Sequence, residues 1–155
     1  MKIRIAGVVP ESIVDGEGIR YAIFMQGCNR HCEGCQNPAT HPLDGGKIVD
    51  TDELIDAIKK NPLLSGITLT GGEPLLQIPA AIELAKATKN LGLNVWCYTG
   101  YIYEEIPPDA QELLKYIDVL VDGEFILALR DLELDFRGSR NQRIIDLNKL
   151  RKANE

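Results

Sequence analysis

The sequence is poor in the features that mark several classes of protein. Its 155 residues include four cysteines, two histidines and one tryptophan, and Asp and Glu outnumber Lys and Arg by 23 to 17. No apolar run approaches the roughly 18 residues of a membrane-spanning helix, and the N-terminus lacks the apolar core of a signal peptide. The acidic balance argues against nucleic-acid binding, which relies on clustered Lys and Arg. We therefore expect a cytoplasmic protein that binds neither membranes nor nucleic acids.

The chain is also short. A length of 155 residues suits one compact core, so we expect a single domain over residues 1–155 that needs no disulfides. In a reducing compartment, clustered cysteines more often bind metal or take part in chemistry than pair with each other. A closed eight-unit β/α barrel takes about 250 residues. An α/β chain of this length must therefore stop short of closure.

Short apolar runs alternate with helical patterns along most of the chain, which predicts an α/β fold with a mainly parallel sheet. The predicted strands are residues 3–9, 19–25, 67–70, 95–98, 118–121 and 144–147. The predicted helices run from an Asp50 cap to about Lys60, over 77–91 with Gly92 beyond the end, and onward from Pro107-Pro108. Residues 124–130 fit either a helix or a strand, and the polar tail from Asn148 is either helical or frayed.

Three cysteines provide the main chemical signal. Cys28, Cys32 and Cys35 follow the predicted strand 19–25 with C-x3-C-x2-C spacing, so their thiolates can converge on one centre. A structural zinc site and a fully protein-held iron–sulfur cubane each need four ligands. Three cysteines would leave one metal corner free for a substrate or cofactor.

The alternative is a zinc site whose fourth ligand comes from elsewhere in the chain. His31 is enclosed between two of the cysteines and cannot easily turn towards their centre, whereas His41 lies beyond Pro38 and could reach it. Cys97 falls within a predicted strand, where a lone cysteine is usually a small buried apolar residue.

A second motif, Thr70-Gly71-Gly72-Glu73-Pro74, ends the predicted strand 67–70. Ligands of parallel α/β sheets bind at the carboxyl ends of the strands. The paired glycines would let backbone approach a ligand and expose main-chain groups, and Glu73 would attract an amine. An ordinary strand-to-helix turn also favours this composition.

The two motifs together resemble the radical S-adenosylmethionine (SAM) superfamily. Longer matches, spanning residues 15 to about 143, resemble the anaerobic ribonucleoside-triphosphate reductase activating protein family. They are Asp15-Gly16-Glu17-Gly18-Ile19-Arg20, Gln26-Gly27-Cys28, Cys35-Gln36-Asn37-Pro38, Tyr98-Thr99-Gly100-Tyr101, Val121-Asp122-Gly123-Glu124-Phe125 and Arg137-Gly138-Ser139 with Asn141-Gln142.

This resemblance implies a fold and a set of site residues. The fold would be an incomplete, open (β/α) TIM-like barrel of the radical SAM type. Cys28, Cys32 and Cys35 would ligate three irons of a [4Fe–4S] cluster, and SAM would chelate the fourth. The SAM-binding residues would be Gly71, Gly72, Glu73, Pro74, Tyr98, Thr99 and Asp122.

The resemblance leaves two roles open, that of the residue at position 34 and that of Asp122. Gly34 stands where many superfamily members place an aromatic residue near the adenine, so adenine contacts would come from backbone or from residues 98–101. Asp122 would contact SAM, a cation or the partner's glycine loop, unless it only caps a turn at a strand end.

The resemblance also implies an enzyme that activates anaerobic ribonucleoside-triphosphate reductase. An electron from a donor such as flavodoxin or ferredoxin would cleave SAM to a 5′-deoxyadenosyl radical, which would leave a glycyl radical on the reductase. The alternatives are an activase of another glycyl-radical enzyme, of the pyruvate formate-lyase type, or a radical SAM enzyme acting on a small molecule. A non-catalytic iron–sulfur or zinc-binding module is an alternative from a different class.

Two further segments each allow two interpretations. Residues 15–18 form either a turn between two strands or, by the resemblance, a segment beside SAM or the glycine loop. Residues 137–143 contain three arginines and form either a solvated loop or a surface that docks the partner protein.

Overall fold

The computed structural model describes residues 1–30, 32–35 and 38–154, and its strands form one seven-stranded sheet. The strands are β1 (Lys2–Ser12), β2 (Arg20–Met25), β3 (Lys47–Asp50), β4 (Gly66–Gly71), β5 (Asn94–Tyr98), β6 (Val119–Asp122) and β7 (Arg143–Asp146). The helices are α1 (Thr51–Lys60), α2 (Ile78–Asn90), α3 (Gln111–Leu114) and α4 (Leu147–Ala153).

The centre of the sheet is parallel and its flanks are antiparallel. The strand order is β3-β1-β2-β4-β5-β6-β7, in which β2, β4, β5 and β6 run parallel. β1 is antiparallel to both β2 and β3, and β7 is antiparallel to β6. The prediction of an α/β fold is confirmed, because one mixed sheet carries helices between its parallel strands.

The two faces of the central strands have different surroundings. Side chains alternate between faces along a strand, so Ile23, Leu69 and Val95 share the apolar core with the helices. On the opposite face, the Arg20 side chain donates to Thr68 and lies 5.5 Å from the centre of the Trp96 ring. Helix α2 packs on β4 and β5 from the core side, which leaves the opposite face to loops.

Local signals explain the helix boundaries. The Asp50 side chain accepts a hydrogen bond from the backbone N–H of Asp52, which caps α1 as predicted. Gly92 follows α2 with a φ of +78°, a conformation that glycine adopts without strain. No helix in the described ranges is long and apolar enough to cross a membrane.

Other elements differ from the sequence prediction. The sequence does not predict β3, because its four residues are too few to show a strand pattern and directly precede the capping signal of α1. The helix expected after Pro107-Pro108 is a 3-10 turn (Pro108–Ala110) followed by the short α3. Residues 124–130 contain another 3-10 turn (Leu127–Leu129), and the C-terminal tail forms α4.

Candidate functional site

A cavity of about 530 Å³ lies where the parallel strands end. Such an edge is the usual ligand position in parallel α/β sheets, because successive loops converge there. The cavity is lined by the three motif cysteines and by residues 70–73 at the end of β4, 98–100 at the end of β5 and 123–125 after β6.

The cysteine loop is closed at its base by backbone hydrogen bonds. Gly27 N–H donates to the carbonyl oxygen of Thr40 at 2.7 Å, and Cys28 N–H donates to that of His41 at 3.0 Å. Cys28, Cys32 and Cys35 are all partly exposed and all line the cavity. The structure therefore brings the three predicted ligands to the same cavity.

The cysteine thiols are near one another but are not closed around a centre. Burial raises the pKa of Cys32, and the charges of Glu124, Cys35 and Cys28 raise it further. Within residues 1–30, 32–35 and 38–154, no three His, Cys, Asp or Glu side chains form a ready-made metal-binding group. Three accessible thiols on one loop fit a cluster that assembles on the loop and takes another ligand at its remaining corner.

The structure distinguishes between the candidates for a fourth protein ligand by where their side chains lie. Cys97 is fully buried in the core and burial raises its pKa strongly, so its interpretation as a core thiol is confirmed. His41 lines the cavity and stays a candidate. His31 lies outside the described residues, as do Gln36 and Asn37 of the family-like motif.

Gly71, the last residue of β4, and the following Gly72 allow two backbone segments to lie close together. Gly71 has a φ of +100°, and a Cβ there would lie 2.5 Å from the Met25 nitrogen. Gly72 N–H donates to the Met25 carbonyl oxygen and Glu73 N–H donates to that of Gly27, both at 2.8 Å. These two N–H groups are therefore occupied, and the expectation that this motif exposes them to a ligand needs correction.

Glu73 is almost completely buried and joins the ends of β4 and β5. Its carboxylate accepts hydrogen bonds from Thr99 Oγ1 at 2.9 and 3.0 Å, from Gly100 N–H at 2.8 Å and from Leu75 N–H at 3.2 Å. Burial raises the pKa of Glu73, against the lowering effect of these hydrogen bonds and of Arg30. Glu73 lines the cavity, and a carboxylate, which only accepts hydrogen bonds, is the type of group that suits an ammonium.

The other residues predicted for this part of the site are Pro74, directly after Glu73, and Tyr98 and Thr99 at the end of β5. Pro74 is buried and opens the 3-10 turn Pro74–Leu76, where its missing N–H costs nothing. Tyr98 lines the cavity, and burial raises the pKa of its phenol. Thr99 lines the cavity too, with its hydroxyl on Glu73 and its N–H on the carbonyl oxygen of Val121 at 3.0 Å.

Among the roles predicted for Asp122, the structure favours the structural one at the strand end. It is fully buried and is not among the described residues that line the cavity. Its carboxylate accepts hydrogen bonds from Arg143 Nε at 3.1 Å, from a terminal nitrogen of Arg143, and from Tyr103 N–H at 2.8 Å. Asp122 therefore pairs β6 with β7 instead of facing a ligand.

The three arginines of residues 137–143 do not form one solvated loop. Arg143 pairs with Asp122 and Glu104, Arg137 lines the cavity, and Arg140 is exposed. A truncation that deletes Phe136 and all later residues would also remove β7, so it would not isolate a docking role of residues 137–143.

Residues 15–18 join β1 to β2 and also reach the cavity. Asp15 lines the cavity, and its carbonyl oxygen accepts a hydrogen bond from Thr68 Oγ1 at 2.7 Å. Gly16 has a φ of +130° and lies against Trp96, where a Cβ would come within 2.9 Å of the ring. The turn and the site interpretations of this segment are thus compatible.

Arg30 is a site residue that sequence analysis missed. It lies between Cys28 and Cys32, lines the cavity, and has its guanidinium carbon 4.3 Å from the centre of the Tyr101 ring. Its partners are 43 to 94 residues away in sequence, so no local pattern identifies it. A charged residue between two candidate ligands is the only signal that could have drawn attention to it.

Comparison with known proteins identifies the class first. Residues 14–145 match a family model described as a 4Fe-4S single cluster domain. The chain is thus an iron–sulfur protein of the single-cluster class.

Relatives identify the family within that class. The anaerobic ribonucleoside-triphosphate reductase-activating protein of Vibrio cholerae is 36% identical over 141 residues, covering 86% of this chain and 91% of the relative. Those of Haemophilus influenzae and Escherichia coli are 34% and 33% identical, with 86% of this chain and 91% and 92% of each relative covered. The chain belongs to the anaerobic ribonucleoside-triphosphate reductase-activating protein family, which confirms the resemblance found in the sequence.

The fold has a more distant likeness among solved structures. The crystal structure of QueE from Escherichia coli matches 64% of this chain with a TM-score of 0.51 and 19% identity. The match covers 53% of QueE, so this chain spans about half of that protein's length. This likeness concerns the fold alone.

Proposed function

We propose that this protein is a radical SAM activase that installs a glycyl radical on anaerobic ribonucleoside-triphosphate reductase. The observation that carries the proposal is a shared cavity, lined both by the three cysteines of one loop and by the Glu73 edge of β4. One motif suits an iron–sulfur cluster and the other suits the amino group of a cofactor bound to that cluster.

Each motif has a defined task in this proposal. Cys28, Cys32 and Cys35 hold three irons of a [4Fe–4S] cluster, while Glu73 and the backbone of Gly71 and Gly72 accept hydrogen bonds from the SAM ammonium. When bound, the cluster and SAM supply a 5′-deoxyadenosyl radical, which removes a hydrogen atom from a glycine of the reductase. Tyr98 and Thr99 line the cavity on the β5 side, where they would contact the rest of SAM.

The fold supports access for a protein substrate. β3 and β7 lie at opposite ends of the strand order, so we propose that this single domain is an incomplete, open (β/α) barrel of the radical SAM type. An open cavity mouth allows a glycine-bearing loop of the reductase to enter and to exclude water. A low-potential donor such as flavodoxin or ferredoxin would supply the electron.

Incubation of the reconstituted protein with SAM and a strong reductant tests this proposal. Anaerobic loading with iron and sulfide should give a brown protein that forms 5′-deoxyadenosine, and a Cys32→Ala variant should form none. Zinc binding without SAM cleavage would favour the alternative site that uses His41. Cleavage of SAM without a glycyl radical on the reductase would favour another glycyl-radical partner or a small-molecule substrate.

A further inference from the structure

Arg30 connects the cysteine loop to the ends of the neighbouring strands. One terminal guanidinium nitrogen donates a hydrogen bond of 2.6 Å to the Glu124 carboxylate beyond β6. The guanidinium carbon lies 4.3 Å from the centre of the Tyr101 ring beyond β5, within the range of a cation–π contact. The residue therefore spans from the loop to two strand ends.

The backbone beneath Arg30 is shaped to admit it. A Cβ on Gly100 would overlap the Cδ and Nε atoms of Arg30, so a larger residue there would push the arginine side chain out of its present position. Arg30 is mostly buried, with 19% of its side chain exposed. Its position is thus set by packing as well as by charge.

Arg30 also approaches the carboxylate that we assign to the SAM ammonium. Its Nε lies 3.6 Å from Glu73 Oε1, which is an ion pair beyond hydrogen-bond length. That Nε is buried and has no hydrogen-bond partner in the described part of the chain. Buried polar groups are normally hydrogen-bonded. A buried guanidinium with an unpaired Nε beside a buried carboxylate therefore needs an explanation other than surface packing.

We propose that Arg30 is a positioning residue that fixes the cysteine loop relative to the Glu73 edge. A cluster bound on the loop and SAM bound at the edge would then have the distance and orientation that their reaction requires. This inference rests on the proposed function and deepens it. Its physical basis is that a small displacement between reacting groups is costly even when both remain bound. Arginine suits the role because its planar group stacks on Tyr101 while its nitrogens face Glu124 and Glu73.

Titration of the reduced cluster with SAM, followed by electron paramagnetic resonance, tests the proposal without measuring turnover. The variants are Arg30→Gln, Arg30→Lys, Glu124→Gln and the double variant of Arg30→Gln with Glu124→Gln. We expect Arg30→Gln to raise the half-saturating SAM concentration by about 10-fold or more, the usual effect of losing a residue that orients a metal site. Arg30→Lys should recover part of this loss, and the double variant should resemble Arg30→Gln alone.

Iron content and the free energy of unfolding distinguish positioning from general stability. Both should stay near those of the unmodified protein in Arg30→Gln, and the exposed Arg130→Gln is the matched control for loss of one guanidinium. Unchanged SAM titrations in the Arg30 and Glu124 variants would overturn the inference, as would equal loss in Arg130→Gln. If Arg30→Gln does not fold, Glu124→Gln decides alone: the Glu124 side chain is 51% exposed, so this variant should fold, and losing the charged 2.6 Å contact should loosen Arg30 and raise the half-saturating SAM concentration.

Failure of this inference and failure of the proposed function give different results. If the unmodified protein shows no SAM-dependent change in its cluster spectrum, the proposed function is wrong. If the unmodified protein responds and the Arg30 variants respond identically, only the positioning role is wrong.

Discussion

Replacing Gly72 by alanine should separate the two strand ends that build the site. A Cβ at this position would overlap the Gly27 carbonyl oxygen and lie 2.8 Å from its carbon and 3.0 Å from the Thr40 carbonyl oxygen. These neighbours are backbone atoms at the base of the cysteine loop, so they cannot rotate away as a side chain would. The end of β4 must then move away from the end of β2.

The magnitude follows from the contacts that this movement disturbs. The hydrogen bonds Gly72 N–H to Met25 O and Glu73 N–H to Gly27 O are each 2.8 Å long, and one such bond contributes about 1 kcal/mol. Overpacking adds about 1–3 kcal/mol. With both hydrogen bonds weakened and the overpacking added, we expect Gly72→Ala to lower the free energy of unfolding by about 3–5 kcal/mol.

Anaerobic denaturant unfolding of the cluster-free protein measures this loss. Gly7→Ala is the matched control, since no described atom lies within 4 Å of a Cβ built at Gly7, and it should change the free energy by less than about 0.5 kcal/mol. If Gly72→Ala also stays within about 0.5 kcal/mol of the unmodified protein, Gly72 does not serve the contact between strand ends and our explanation of the motif is wrong.

Three further predictions concern individual side chains. Cys97→Ala should cost about 1–2 kcal/mol in unfolding free energy but retain full iron loading, whereas Cys32→Ala should lose the cluster; equal iron loss in both would contradict the division between core and site. Burial raises the pKa of Glu73, so the folded state binds this proton more tightly than the unfolded chain, and the contribution of Glu73 to stability should fall as the pH rises above its ordinary pKa of 4.5. In urea unfolding of the cluster-free protein, Glu73→Gln should therefore gain stability relative to the unmodified protein over that range, and a constant difference would refute this. Asp122→Asn should weaken the contact with Arg143 and lower stability by about 1–3 kcal/mol while SAM cleavage persists; loss of cleavage in a folded variant would return Asp122 to the site.

The parts of the fold that sequence predicted are those with strong local periodicity. The central strands and α2 follow from apolar runs and helical spacing, and the Asp50 cap follows from a short-range pattern. β3 escaped detection because four residues carry too little pattern, and it is stabilised by pairing with β1, which no local signal reveals.

The residues of the candidate site also fall into two groups, those revealed by a local motif and those revealed only by contacts with distant parts of the chain. The cysteine loop and the edge at Glu73 were found because each motif is contiguous and follows a strand. The partners of Glu73 at Thr99 and Gly100 lie 26 and 27 residues away, so its structural role could not be deduced from the motif. For Asp122, a carboxylate at a strand end fits a ligand contact and an ion pair equally well, and the deciding Arg143 lies 21 residues further along.

Electron paramagnetic resonance of the reductase after incubation with this protein tests the proposed activation directly. Reconstituted protein, SAM and a low-potential reductant are mixed anaerobically with the reductase, and Cys32→Ala provides the matched control. We expect a stable glycyl radical on the reductase together with 5′-deoxyadenosine, and neither product with the variant. A cluster-loaded protein that forms no glycyl radical on its reductase would contradict the proposed activation.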